Sequence, residues 1–118
     1  HELTHGFDDE GRKFDSAGNL RNWWTKADAE RFEHKADCIR EQYADYVIVD
    51  EVHINSNLTA GEDIADLGGL ILAWQAWQQQ ALENPPQPRD GLTPEQRFFV
   101  GFGPVSYTHL TLPTSDLG

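Results

Sequence analysis

His1-Glu2-Leu3-Thr4-His5, taken with Gly61-Glu62-Asp63-Ile64-Ala65-Asp66 further along, decides how this 118-residue chain is read. An α-helix turns by about 100° per residue, so side chains four apart lie on one face, one turn from each other. His1 and His5 can therefore grip one ion from a single helix. Glu2 sits one step round from His1, near enough to reach a water on that ion and badly placed to be a third ligand on the same face. Two histidines that bind zinc beside a glutamate that acts as general base make up such an arrangement. The plainer alternative for the five residues alone is a polar helical turn facing solvent.

The second stretch changes that balance. Glu62 and Asp66 are again four apart and can share a helix face, so one carboxylate can reach the ion while the other reaches a histidine ring. Catalytic zinc takes three protein ligands and keeps one position open. His1, His5 and Glu62 would supply the three, and Asp66, most readily on His1, would accept the proton of the ring nitrogen that faces away from the metal and fix the tautomer. Thr59-Ala60-Gly61-Glu62 can also be read as a capping box, a threonine three residues before a glutamate at a helix start, and without the histidines that would be the better reading.

His1-Glu2-Leu3-Thr4-His5-Gly6-Phe7-Asp8-Asp9, then Gly11-Arg12-Lys13-Phe14-Asp15, Trp23-Trp24-Thr25, Cys38 before Gln42-Tyr43, and the Glu62 segment form an ordered series. It resembles the zinc-binding half of neprilysin-type metallopeptidases from His1 to about Trp77, with a weaker echo at Phe98-Phe99-Val100. The resemblance implies a zinc endopeptidase acting on oligopeptides, with one zinc ion held by His1, His5 and Glu62, Glu2 as catalytic base and Asp66 as orienting residue. It also implies a mainly α fold with little or no sheet, a piece of a thermolysin-like helical catalytic domain covering residues 1–103. In that family a cysteine at the position of Cys38 can pair with a distant one, and the enzymes are extracellular, periplasmic or anchored ectodomains, although a cytoplasmic chain fits the sequence too. A downstream histidine that stabilises the tetrahedral intermediate and a downstream arginine that binds peptide belong to the family pattern, and neither has a matching position here. The isolated chain is accordingly expected to cleave peptides weakly or not at all. The alternative function is an inactive acidic helical fragment or binding module.

Composition narrows the field further. A formal net charge of −11 argues against a nucleic-acid partner, because a surface that tracks phosphates needs clustered Lys and Arg. The acidic residues are spread through Asp8 to Asp15, Asp28 to Glu33 and Asp45 to Glu51, and they read as a solvated surface. The single cysteine, Cys38, is either a small buried apolar residue or half of a bridge to another chain segment. Neither a signal peptide nor a membrane-spanning run is visible in the segment, and the sequence is silent on oligomeric state. The chain opens in mid-motif and has no methionine, which reads as an excerpt of a longer protein.

Along the chain, residues 1 to about 7 should be the later part of the metal-binding helix, followed by a loop to about Asn22. Thr25 with Asp28 is an N-cap signal, and Phe32, Ala36, Ile39, Tyr43 and Tyr46 form an apolar stripe on a helix over roughly 25–46. Val47-Ile48-Val49 with Val52 and Ile54 suit a short strand or an ordered loop, broken by Asn55-Ser56-Asn57. A second long helix is expected from Thr59 or Ala60 to no further than Asn84, carrying Ile64, Leu67, Ile71, Trp74 and Gln78 on one side and stopped by Pro85-Pro86. Trp74 and Trp77 have core spacing, and Gly68-Gly69 should let this helix approach the metal-binding helix closely. Thr93-Pro94-Glu95 marks a third helix start, with proline at its first position. His34, His53 and His109 read as surface residues. From Gly103-Pro104 the family pattern stops, and residues 104–118 resemble a translated sequencing adapter and are expected to be non-native, extended or disordered.

Overall fold

The computed structural model describes residues 1–111, with side chains through Pro104. It is built mainly of helices: α1 (Glu2–His5), a 3-10 turn (Gly11–Lys13), α2 (Lys26–Ala44), α3 (Ser56–Glu83) and α4 (Pro94–Thr111), with a hairpin of β1 (Val47–Val49) and β2 (Val52–His53). The two strands are antiparallel, pairing Val47 with His53 and Val49 with Val52. Their turn places Asp50 and Glu51 at φ of 45° and 67°. The described backbone thus agrees with a mainly α chain carrying very little sheet.

Local chemistry explains most of the boundaries. Thr25 caps α2 by accepting the backbone N–H of Asp28 at 3.2 Å, as its spacing predicts. The start of α4 carries a reciprocal pair, in which Thr93 Oγ1 accepts from Gln96 N–H at 3.2 Å and Gln96 Oε1 accepts from Thr93 N–H at 2.9 Å. Pro94 fills the first helical position, where no N–H is missed.

Three expectations are corrected. Asn55-Ser56-Asn57 follows the end of the strand as expected but also opens α3, which starts at Ser56 and not at Thr59 or Ala60: the Asn55 carbonyl accepts from Leu58 and Thr59 N–H at 2.9 and 3.3 Å. Thr59 therefore lies inside the helix, and its hydroxyl donates to Asp63 Oδ2 at 2.7 Å instead of forming a capping box with Glu62. Cys38 is exposed, with its thiol on the His34 carbonyl at 3.4 Å, so the buried apolar reading fails. The third correction concerns the segment after Gly103. Its backbone stays helical to Thr111, while residues 112–118 and the His109 side chain lie outside what is described.

The chain divides into two compact units, His1–Gly69 and Leu70–Gly118, and α3 contributes residues to both. In the first, burial is concentrated on small residues: Ala36, Ala60 and Ala65 are buried, and among the described residues no large side chain is fully enclosed. Small side chains on α3 are what the approach of α1 demands. A Cβ on Gly68 would stand 2.6 Å from Thr4 Cγ2, and one on Gly69 would stand 2.2 Å from the His1 nitrogen. The Gly68-Gly69 pair thus has the packing role its sequence suggests. In the second unit Trp74 stacks on Trp77 at 4.8 Å and meets Phe98 and Phe99 at 5.0 Å each, so the tryptophans are packing residues as their spacing implies. Among the described residues no helix is long and apolar enough to cross a membrane.

Candidate metal centre

His1, at the N-cap of α1, and His5, in that helix, bring their imidazoles together with the rings 4.6 Å apart and edge to face. Across from them α3 presents Glu62. His1 Nε2 and His5 Nε2 stand 3.0 Å apart, His1 Nε2 lies 3.4 Å from Glu62 Oε2, and His5 Nε2 lies 3.7 Å from Glu62 Oε1. The three side chains expected as ligands are therefore brought to one point by two helices.

The opposite edges of both rings are tied to carboxylates. His1 Nδ1 is 2.7 Å from Asp66 Oδ1, and His5 Nδ1 is 2.7 Å from Asp8 Oδ2. An ionised carboxylate only accepts, so each ring donates from Nδ1, and in the neutral ring Nε2 is then the lone-pair donor on the side of Glu62. Two nitrogen lone pairs and a carboxylate gathered this closely are a donor set for a cation. The dimensions fit as well. A tetrahedral zinc about 2.0–2.1 Å from nitrogen and oxygen donors would hold those donors roughly 3.4 Å apart, the middle of the observed range.

Glu2 takes a different position. Its Oε1 is 4.0 Å from His1 Nε2, and His1, Glu2 and His5 each offer a donor atom within 4.8 Å of the others. Glu62, 3.4 Å from His1 Nε2, is the closer carboxylate, and the Glu2 side chain is 75% exposed.

Asp8 was not foreseen. The sequence places it in an acidic run and suggests a solvated carboxylate, yet it is only 6% exposed. Its Oδ1 accepts from the backbone N–H groups of Glu10 and Gly11 at 2.9 and 2.6 Å while its Oδ2 faces His5. The local signal is an aspartate followed three residues on by a glycine, a pattern in which the side chain folds back onto the next turn. Gly11 is required there, because a Cβ would stand 1.8 Å from the His5 carbonyl oxygen.

Asp63 is the other buried carboxylate near the site. Burial raises its pKa above the ordinary value, the hydrogen bond from Thr59 opposes the rise, and neighbouring Asp66 and Glu62 add to it. Burial likewise raises the Tyr43 phenol, with Asp63 and Asp66 contributing. His34 and His53 are exposed, and His53 Nδ1 meets the Ala44 carbonyl at 2.9 Å, so both stay outside the site.

Comparison with known proteins gives the family of the chain. The model of peptidase family M13 matches residues 1–112. Neprilysin-2 of Caenorhabditis elegans is 46% identical over 110 residues, which cover 89% of this chain and 15% of that protein. Human endothelin-converting enzyme 1 is 45% identical over 108 residues, covering 89% of this chain and 14% of that enzyme. Among solved structures, the Mycobacterium tuberculosis zinc metalloprotease Zmp1 in complex with inhibitor superposes with a TM-score of 0.78 at 44% identity, covering 86% of this chain and 16% of that one. The chain thus spans about one-seventh of the length of the curated relatives it matches. By sequence and by fold, this chain belongs to peptidase family M13.

Proposed function

We propose that this chain is the metal-binding part of a zinc-dependent metalloendopeptidase acting on oligopeptides. One zinc ion is held by His1, His5 and Glu62, with Glu2 as general base. The observation that carries the reading is the convergence of His1 Nε2, His5 Nε2 and the Glu62 carboxylate within 3.0–3.7 Å of one another, each imidazole oriented from behind by a carboxylate at 2.7 Å.

When bound, zinc supplies a Lewis acid that polarises a peptide carbonyl and makes water acidic near neutral pH. The chain's own groups do the rest. Asp66 and Asp8 hold the two rings in the tautomer that leaves Nε2 as donor to the metal. Glu2 takes the proton of the attacking water and passes it to the leaving amine, a role that needs access to solvent and substrate. Glu62 completes the ligand set from a second helix, so the site forms only when α1 and α3 are together. Substrate choice, oligomeric state and compartment belong to the whole protein; the resemblance favours an extracellular, periplasmic or anchored ectodomain.

Zinc titration by calorimetry on the chain and on Glu62→Ala tests the reading. Near-stoichiometric binding that Glu62→Ala weakens by at least tenfold, about 1.4 kcal/mol, is expected. Binding untouched by the substitution sinks the Glu62 assignment, and no binding at all favours an inactive helical module.

A further inference from the structure

The turn that carries Asp8 is tied to α2 by a chain of charges that metal binding does not use directly. Arg12 lays its guanidinium over Phe32 and Trp24, 4.9 and 5.8 Å from the ring centres, and donates from Nη2 to Glu33 Oε1. The other oxygen of Glu33 lies 3.5 Å from Arg40 Nη1. Arg40 in turn reaches Asp37 at 2.8 Å and Asp9 Oδ2 at 4.0 Å. Glu33 and Arg40 are seven apart, on one face of α2, and so hold the turn at two points, Asp9 near its beginning and Arg12 at its end.

Asp8 stands immediately before the first of those points and is bonded to the second. Its backbone carbonyl accepts from Arg12 N–H at 3.2 Å, and its carboxylate is wrapped by the Glu10 and Gly11 N–H groups. A shift of the Arg12 main chain is therefore transmitted to Asp8 through the hydrogen bonds of the turn. The anchoring is also exacting, because Arg12 Nε is buried without a hydrogen-bond partner among the described residues. The guanidinium, on a side chain 19% exposed, is held by Glu33 and by the two ring faces.

We infer that Arg12, Glu33, Arg40 and Asp9 are positioning residues for metal binding: they fix the turn so that the Asp8 carboxylate meets His5 Nδ1. The inference rests on the zinc reading of the site. A hydrogen bond of 2.7 Å weakens steeply as it lengthens or misaligns, so a small release of the turn frees the His5 ring before any ligand is touched.

A zinc competition titration on four forms of the chain tests this: unaltered, Arg12→Met, Asp8→Asn and the double variant. Loss of the direct partner should weaken zinc by about 10–100-fold. Arg12→Met should weaken it by about tenfold when Asp8 is present and by less than about twofold in Asp8→Asn, since contacting residues in one chain of action are not additive. An equal loss in both backgrounds marks Arg12 as a general structural residue and overturns the inference, as does no loss in either. If Arg12→Met loses its helical circular dichroism, Glu33→Gln carries the same comparison with a more exposed side chain. Failure of the unaltered chain to bind zinc overturns the site reading, and this inference with it, and is told apart from a failure inside the cycle.

Discussion

Replacing Gly69 by alanine should weaken the metal site from a residue that touches no ligand atom. In a helix interior Gly→Ala ordinarily gains about 1 kcal/mol, because glycine loses more backbone freedom on folding. At Gly69 the new Cβ would stand 2.2 Å from the His1 nitrogen and 2.8 Å from its Cα, both main-chain atoms that cannot rotate away. Opening the closer contact to 3.0 Å moves α1 off α3 by about 0.8 Å, more than the roughly 0.5 Å within which a site must be held. The His1 and His5 to Glu62 separations of 3.4 and 3.7 Å are the distances such a shift enlarges. Zinc affinity should fall at least about tenfold, and the propensity gain should be cancelled by strain of about 1–3 kcal/mol. Gly101 in α4 is the control: a Cβ there meets nothing within 4 Å, so Gly101→Ala should raise stability by up to about 1 kcal/mol and leave zinc affinity alone. Thermal melts by circular dichroism and a zinc competition titration read both quantities. A Gly69→Ala chain that gains stability as Gly101→Ala does and binds zinc undiminished would refute the close-packing argument.

Glu2→Gln should leave zinc affinity within about threefold of the unaltered chain while Glu62→Gln does not, because Glu2 stands 4.0 Å from His1 Nε2 in an exposed position; titration of the two variants in parallel checks it. Peptide cleavage by the isolated chain, measured with a quenched fluorescent peptide and a chelator control, should be weak or absent. For Asp63 burial raises the carboxyl pKa, so the folded state binds its proton more tightly than the unfolded chain; the stability this contributes is present below the unfolded pKa and lost as pH rises through the folded one. Asp63→Asn should therefore stabilise the metal-free chain near neutral pH and lose that advantage in the acidic carboxylate range, as thermal melts across pH would show. A variant with the same advantage at both ends would refute the burial argument.

The convergence of the proposed ligands was legible because helical spacing is strict: His1 with His5 and Glu62 with Asp66 can do little else on a helix than share a face. Gly68-Gly69 was legible for a related reason, since small residues in a helical pattern mark close approach. Asp8 was hidden because its partner is reached by a turn and not by a helical period, and its charge made it look like one more solvated acid. The start of α3 was misplaced because Asn-Ser-Asn favours turns and helix N-termini alike, and only the Asn55 carbonyl bonding to Leu58 and Thr59 decides between them. The charge chain from Arg12 to Arg40 joins residues separated by a loop and half of α2, which no local pattern reveals.

Anomalous diffraction at the zinc edge, on crystals of the zinc-loaded chain, tests the central claim most directly. A single peak about 2.0–2.1 Å from His1 Nε2, His5 Nε2 and a Glu62 carboxylate oxygen, with Glu2 outside bonding distance, is the predicted result. A peak bonded to Glu2 in place of Glu62, or one away from the histidine pair, would contradict it.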